Sequence, residues 1–260
     1  MINILFIGDI FGKPGRDLVR EQLPKLKEEF AIDVCIANGE NIASGRGITQ
    51  KTAEQLFDAG VDVFTSGNHL WDKKESFDFL KEEKRIVKPL NFPETAIGSR
   101  YCVHTTKSGE KIVILALIGQ VFMSPANSPF STFENILPEL QQISKNIIVD
   151  FHAEATAEKR AFGFFADGKI SAMFGTHTHI QTADEEILPN GIAYITDVGM
   201  TGPHNSVIGM KKEIIIEKIF TGMPKRFEVA KDGLQLNAVY VQLDEQTGKA
   251  QKITRIKRHF

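Results

Sequence analysis

This chain of 260 residues has only two cysteines, Cys35 and Cys102, and no CxxC spacing, which excludes a disulfide-stapled fold and a cysteine-based zinc site. Both lie in apolar stretches, so they read as buried free thiols of a reducing compartment. No apolar run approaches the length of a membrane span. The first one, Ile2 to Ile7, is too short for a secretory signal core and leads into Gly8-Asp9 rather than a cleavage site. A cytoplasmic protein is therefore expected. An excess of basic charge is missing too: 31 Lys and Arg stand against 33 Asp and Glu, net −2. That is no footprint of a dedicated nucleic-acid binder, although a small nucleotide remains compatible with it. Repeats, linkers and low-complexity tracts are also absent, and 42% hydrophobic residues suffice for a large core. One domain over residues 1–260 is expected, with a homo-oligomer left open.

The order of elements reads as an α/β protein. Ile2 to Ile7, Val34 to Ala37 and Val61 to Thr65 are short, nearly continuous apolar runs, as strands covered on both faces should be. A helical pattern with Leu18, Leu23, Leu26 and Phe30 follows the first, with a kink or break expected at Pro24. Thr49 is placed to cap a second helix ending near Gly60. Another helix is expected around Lys74 to Glu83. Tyr101 to Thr105 and Lys111 to Ile118 form a hairpin pattern, and Asn135 to Ile143 a short helix. Strand-like runs at Asn146 to Phe151, Ile170 to Phe174 and Ile192 to Thr196 follow, with a helix at Glu154 to Phe165. The stretch from Leu234 to Lys257 alternates as a hairpin turned at Gln246-Thr247-Gly248.

Polar clusters stand directly after the strands: Asp9, Glu40-Asn41, Asn68-His69, His152 and His177-Thr178-His179. Alternating β/α units bring successive strand ends to one edge of a sheet, so such residues converge in space. Asp9 and Glu40 at neighbouring strand ends can hold two cations, Glu40 giving one oxygen to each. Two +2 charges ~3.5–4 Å apart repel by on the order of 20 kcal/mol at an effective dielectric near ~20, and an anionic bridge offsets much of that. His177 and His179, two apart, are expected on one side of an extended segment. Imidazoles in the donor set favour manganese, iron or zinc over magnesium or calcium. The amide of Asn68 is a neutral ligand. Two carboxylates and a hydroxide against two cations then leave about +1, which suits a phosphoester. His69 is expected to face the substrate.

Gly8-Asp9, Gly39-Glu40-Asn41, Gly67-Asn68-His69 and Gly175-Thr176-His177-Thr178-His179 resemble the ordered motifs of the calcineurin-like metallophosphoesterases. Phe11 stands where the first motif has histidine, and Glu40 where the bridging residue is usually aspartate. Both departures match the YmdB-like branch, as do the strings GDIFGKPGR, NGENIASGRGIT, SGNHLWD, DFHAEAT, GTHTHIQTAD and DVGMTGP, which span nearly the whole chain. The resemblance implies a four-layer α/β/β/α sandwich with two mixed sheets. It also implies a dinuclear phosphodiesterase that hydrolyses cyclic nucleotides, 2′,3′-cyclic ones among them. One metal would be held by Asp9, Glu40, Asn41 and His179, the other by Glu40, Asn68, His152 and His177. The ions would be divalent or mixed-valence iron or manganese, with zinc also compatible. His69 would be the general acid.

Two other readings use the same residues: a phosphomonoesterase such as a nucleotidase or protein phosphatase, and a metal-dependent nucleotide sensor without turnover. Gly8 to Lys13 is not a phosphate loop, because three residues separate the glycines and Pro14 replaces the Ser or Thr that binds magnesium. Asp150, Glu154 and Asp197 are placed to orient imidazoles. The loops Ser44 to Gly47 and Thr201 to Ser206 are expected near substrate, His204 reads as a loop histidine, and the basic tail Lys252 to His259 as a solvated strand face.

Overall fold

A computed structural model describes all residues 1–260. The first half contains β1 (Ile2–Ile7), β2 (Asp9–Ile10), α1 (Gly12–Glu29), β3 (Val34–Asn38), α2 (Gln50–Asp58), β4 (Val63–Thr65), α3 (Phe77–Glu82), β5 (Cys102–Thr105) and β6 (Lys111–Ile118). The second half adds α4 (Pro129–Ile143), β7 (Asn146–His152), α5 (Thr156–Ala166), β8 (Ala172–Thr176), β9 (Glu186–Ile187), β10 (Ala193–Ile195), β11 (Met200–Pro203), α6 (Lys212–Thr221), β12 (Leu234–Leu243) and β13 (Ala250–His259).

These strands form two mixed sheets. One runs β2-β11-β12-β1-β3-β4 with β13 also on β12, and the other runs β5-β6-β7-β8-β10-β9. Alternation along each strand explains why they stack. In β1, Ile2, Ile4 and Phe6 enter the core between the sheets, while Leu5 and Ile7 enter a core shared with α1 and α2. In β6, Ile112, Ile114 and Ala116 join the central core, whereas Val113, Leu115 and Leu117 pack with Phe133 of α4 and Phe162 of α5. Three apolar layers thus separate four layers of structure, the expected α/β/β/α sandwich.

Several local expectations are corrected. α1 continues through Pro24, and α4 begins at Pro129 and continues through Pro138. Both prolines are on exposed faces, as are Arg20 and Glu134, whose carbonyls lose a partner to proline, so water can satisfy them. Ser128 caps α4 by accepting from the Ser131 N–H at 3.4 Å. The helix expected at Lys74 to Glu83 starts as a single 3₁₀ turn, Lys74–Ser76, before α3. The Thr49 cap is present, with Thr52 returning the bond. α6, with no buried residue, was not anticipated. No helix is long and apolar enough to cross a membrane.

Candidate metal centre

Seven of the sequence-picked donors stand at strand ends on facing edges of the two sheets. Asp9 opens β2, Glu40 and Asn41 follow β3, and Asn68 follows β4; His152 ends β7, and His177 and His179 follow β8. All but Asn68 and His177 are buried, Asp9 and His152 completely. The tightest convergence is at His152. Its Nε2 lies 3.1 Å from Glu40 Oε1, 3.1 Å from Asn68 Oδ1 and 3.0 Å from His177 Nδ1. Glu40, His152 and His177 each offer a ligand atom within 4.8 Å of the others. A second group surrounds the Asn41 amide, whose Nδ2 is 3.5 Å from Asp9 Oδ1, 3.5 Å from Glu40 Oε1 and 3.3 Å from His179 Nε2. Turning that amide over would aim Oδ1 at the same point. Glu40 lies in both groups.

The surrounding bonds fix which ring nitrogen faces inward. Thr176 Oγ1 donates to Asp150 Oδ1 at 2.7 Å, so it accepts from His152 Nδ1 at 2.8 Å and leaves Nε2 for the cluster. His179 Nδ1 donates to the Ile208 carbonyl at 3.1 Å, which turns its Nε2 toward Asn41 and Asp9. Glu154 Oε2, 3.2 Å from His177 Nε2, does the same for that ring. Asp150 therefore acts on His152 through Thr176. Asp197 acts on backbone instead: it accepts the Thr178 N–H at 3.1 Å and the Gly199 N–H at 2.8 Å, and pairs with buried Lys159 at 2.7 Å.

The His177–His179 segment is not extended as expected. His177 has φ +102 and His179 φ +66, both left-handed, so the two rings diverge and serve different donor groups. Asn and Asp tolerate this region better than most residues, and nothing in the pattern Gly-Thr-His-Thr-His announces it.

Electrostatics show that the donor set lacks positive charge. Burial pushes the Asp9 carboxyl up to about 8. Glu40 resists the same burial and is held down to about 2 by the His152 imidazolium. His152 is itself raised to about 9, since Glu40 and Asp9 outweigh its own burial. Burial and His152 push His177 down to about 3. Two carboxylates, two amides and three imidazoles thus converge here, and the charge raised on His152 sits where a cation would face Glu40, Asn68 and His177. Nitrogen and oxygen donors in that ratio fit borderline transition metals.

The family comparison agrees over almost the full length. The YmdB-like protein family matches residues 5–256. This chain belongs to it. A 2′,3′-cyclic-nucleotide 2′-phosphodiesterase of Bacillus subtilis (strain 168) is 47% identical over 255 residues, covering 98% of this chain and 96% of the relative. A crystal structure described as a novel phosphatase from Mycoplasma pneumoniae superposes with TM-score 0.94 at 38% identity, covering 99% of this chain and 93% of that one. A hypothetical protein from Thermus thermophilus gives TM-score 0.93 at 36% identity, covering 99% of both chains. The buried ring of Phe11 meets His179 edge-on, centroids 5.5 Å apart.

His69 lines a cleft of about 490 Å³ with Glu40, Asn41, His177 and His179. Its backbone N–H donates to Glu40 Oε2 at 2.9 Å, its Nδ1 is 3.0 Å from Asp72 Oδ2, and its Nε2 is 3.2 Å from Asn68 Nδ2. Arg46, also on the cleft, pairs with Asp72 at 3.1 Å and approaches His69 Nδ1 at 3.3 Å. The Ser44 to Gly47 loop is therefore at the mouth as expected. The Thr201 to Ser206 loop is not; Val207, Ile208 and Met210 take its place. His204 donates instead to the Met200 carbonyl at 2.9 Å. Sequence reading missed Arg46, Asp72, Thr176 and Lys159. Only Lys159 carried a visible signal, a charge on the helical face shared by Phe162 and Ala166.

Proposed function

We propose that this protein is a metal-dependent phosphodiesterase acting on cyclic nucleotides, with 2′,3′-cyclic nucleotides as the leading class. The observation that carries this reading is the meeting of Glu40, Asn68, His152 and His177 within 3.1 Å of the single nitrogen His152 Nε2. Asp9, Glu40, Asn41 and His179 would hold one cation, and Glu40, Asn68, His152 and His177 a second. Iron or manganese suits these donors best, and zinc is compatible. A pair of such ions supplies Lewis acidity and a water acidified to near neutrality.

The side chains divide the remaining work. Glu40 directs Oε1 into the cluster, while Oε2 holds the His69 backbone and so sets the distance from donor group to proton source. With Asp72 accepting from Nδ1, His69 keeps Nε2 beside the Asn68 amide, 3.2 Å from its Nδ2, at the cleft. Protonated, the His69 Nε2 can give its proton to the ribose oxygen that leaves when one P–O bond of the cyclic diester breaks. Arg46 adds a positive charge at the mouth, where an anionic substrate enters. The free, buried state of both cysteines supports a cytoplasmic setting.

Parallel assays of iron- and manganese-loaded protein on 2′,3′-cyclic AMP, 3′,5′-cyclic AMP, bis-p-nitrophenyl phosphate and p-nitrophenyl phosphate test the reading. Turnover of the cyclic diester well above the monoester is expected. Preference for the monoester would replace it with a phosphatase, and tight binding without turnover with a sensor.

A further inference from the structure

The cleft is two-sided. Besides the polar donors, its lining includes an apolar wall of Phe11, Val207, Ile208, Met210, Ile215 and Phe227. Breaking a phosphate ester needs no such wall. Within it, Ile208 has φ +46 and is followed by Gly209 at φ +98. Val207 and Met210 exchange both backbone hydrogen bonds, at 2.9 and 3.0 Å, so Ile208-Gly209 is the tip of a two-residue hairpin with left-handed backbone at both positions. Asn-Gly is the sequence such a tip favours, and a β-branched residue there is a steric outlier.

Burial does not explain the isoleucine, because it is 53% exposed. Nor does the bond to His179, which uses the backbone carbonyl and could come from any residue. Gly209 is pressed onto Phe11: a Cβ there would lie 2.4 Å from Phe11 Cδ1, so the tip is held in place. What remains is the side chain, kept at the cleft against local conformational preference. Phe227, 40% exposed, lines the same wall with Lys218 Nζ 4.6 Å from its ring centroid.

We propose that Ile208 and Phe227 form a nucleobase shelf, against which the heterocycle of a cyclic nucleotide lies while its ribose phosphate reaches the Glu40–His152 cluster. The inference rests on the cyclic-nucleotide reading and adds how the site distinguishes a nucleotide from other phosphodiesters. No side chain of the wall carries a hydrogen-bonding group, so contact area rather than base identity sets the preference, and purines gain more than pyrimidines.

The test compares kcat/KM of the metal-loaded protein for 2′,3′-cyclic AMP and for glycerol 1,2-cyclic phosphate, which keeps the five-membered cyclic diester but has no base. Ile208→Asn and Phe227→Ala should each lower the nucleotide-to-glycerol ratio about tenfold, chiefly through KM for the nucleotide. Ile208→Asn should also raise Tm, because asparagine tolerates the left-handed tip. A ratio within about twofold of wild type in both variants overturns the shelf, as does a wild-type ratio near one. Wild type that turns over neither diester overturns the functional reading itself.

Discussion

Gly67 gives the sharpest test of the centre. It precedes Asn68 and its φ is not in the left-handed region, so alanine is acceptable to the backbone. The obstacle is a ring: a Cβ at Gly67 would lie 2.1 Å from His152 Cδ2 and 2.3 Å from Nε2. Ordinary contact begins at 3.4 Å, which leaves the methyl about 1.3 Å too close. His152 cannot easily yield, being fully buried at the end of a strand paired on both sides and tied to Thr176. Either the imidazole tips, which separates Nε2 from its three partners by about an ångström, or the Asn68 loop withdraws, which takes Asn68 from it. Overpacking of this kind costs about 1–3 kcal/mol of stability. A misplacement of ~1 Å can cost on the order of 100-fold in rate. Gly67→Ala should therefore fold, lose metal on elemental analysis and lose turnover of 2′,3′-cyclic AMP by about two orders of magnitude. A variant with full metal content and near-normal turnover would refute the argument.

Other perturbations separate the roles. His69→Ala keeps the backbone N–H that holds Glu40, so metal content should persist while kcat for 2′,3′-cyclic AMP falls about 10²–10⁴-fold; a p-nitrophenyl diester, with its better leaving group, should suffer less. Equal losses on both substrates would remove the proton-donor role. Lys159→Met leaves Asp197 buried without its cation and should cost about 3–5 kcal/mol in denaturant unfolding; a change below about 1 kcal/mol would show the pair to be dispensable. Metal-stripped protein should have a Tm that falls between pH 6.5 and 9. Asp9 and His152 have folded values raised to about 8 and about 9, so the folded state binds more protons than the unfolded one in this window, and that stabilisation is lost as pH rises. Metal loading requires the same groups deprotonated and should flatten or reverse the trend; parallel curves for stripped and loaded protein would contradict it.

The strand-end donors were legible because each apolar run is short and stops at a polar cluster, so chain order alone predicts their convergence. Alternation along Ile2 to Ile7 and Lys111 to Ile118 likewise contains the layering. The left-handed backbone of His177 and His179 was hidden, since it is imposed by tertiary bonds such as Asp197 to the Thr178 N–H. α6 escaped notice because none of its Ile, Phe and Lys residues is fully buried and they show no one-sided stripe. Pro24 misled for the opposite reason: burial of the other helix face decides the outcome, and the freed carbonyl faces water. Asp72 lies only three residues from His69, but one acidic residue in a loop cannot be told from another until the ring beside it is placed.

Asp9, Glu40, Asn41 and Asn68 are carried on or just after strands of one sheet, and His152, His177 and His179 on or just after strands of the other. Ions bound among them would act as rivets through the seam of the sandwich. A cell starved of those metals would then hold a looser molecule, open to proteases along its central seam, and would lose the enzyme along with its activity. Abundance of this protein in growing cells would follow metal supply even at constant transcription.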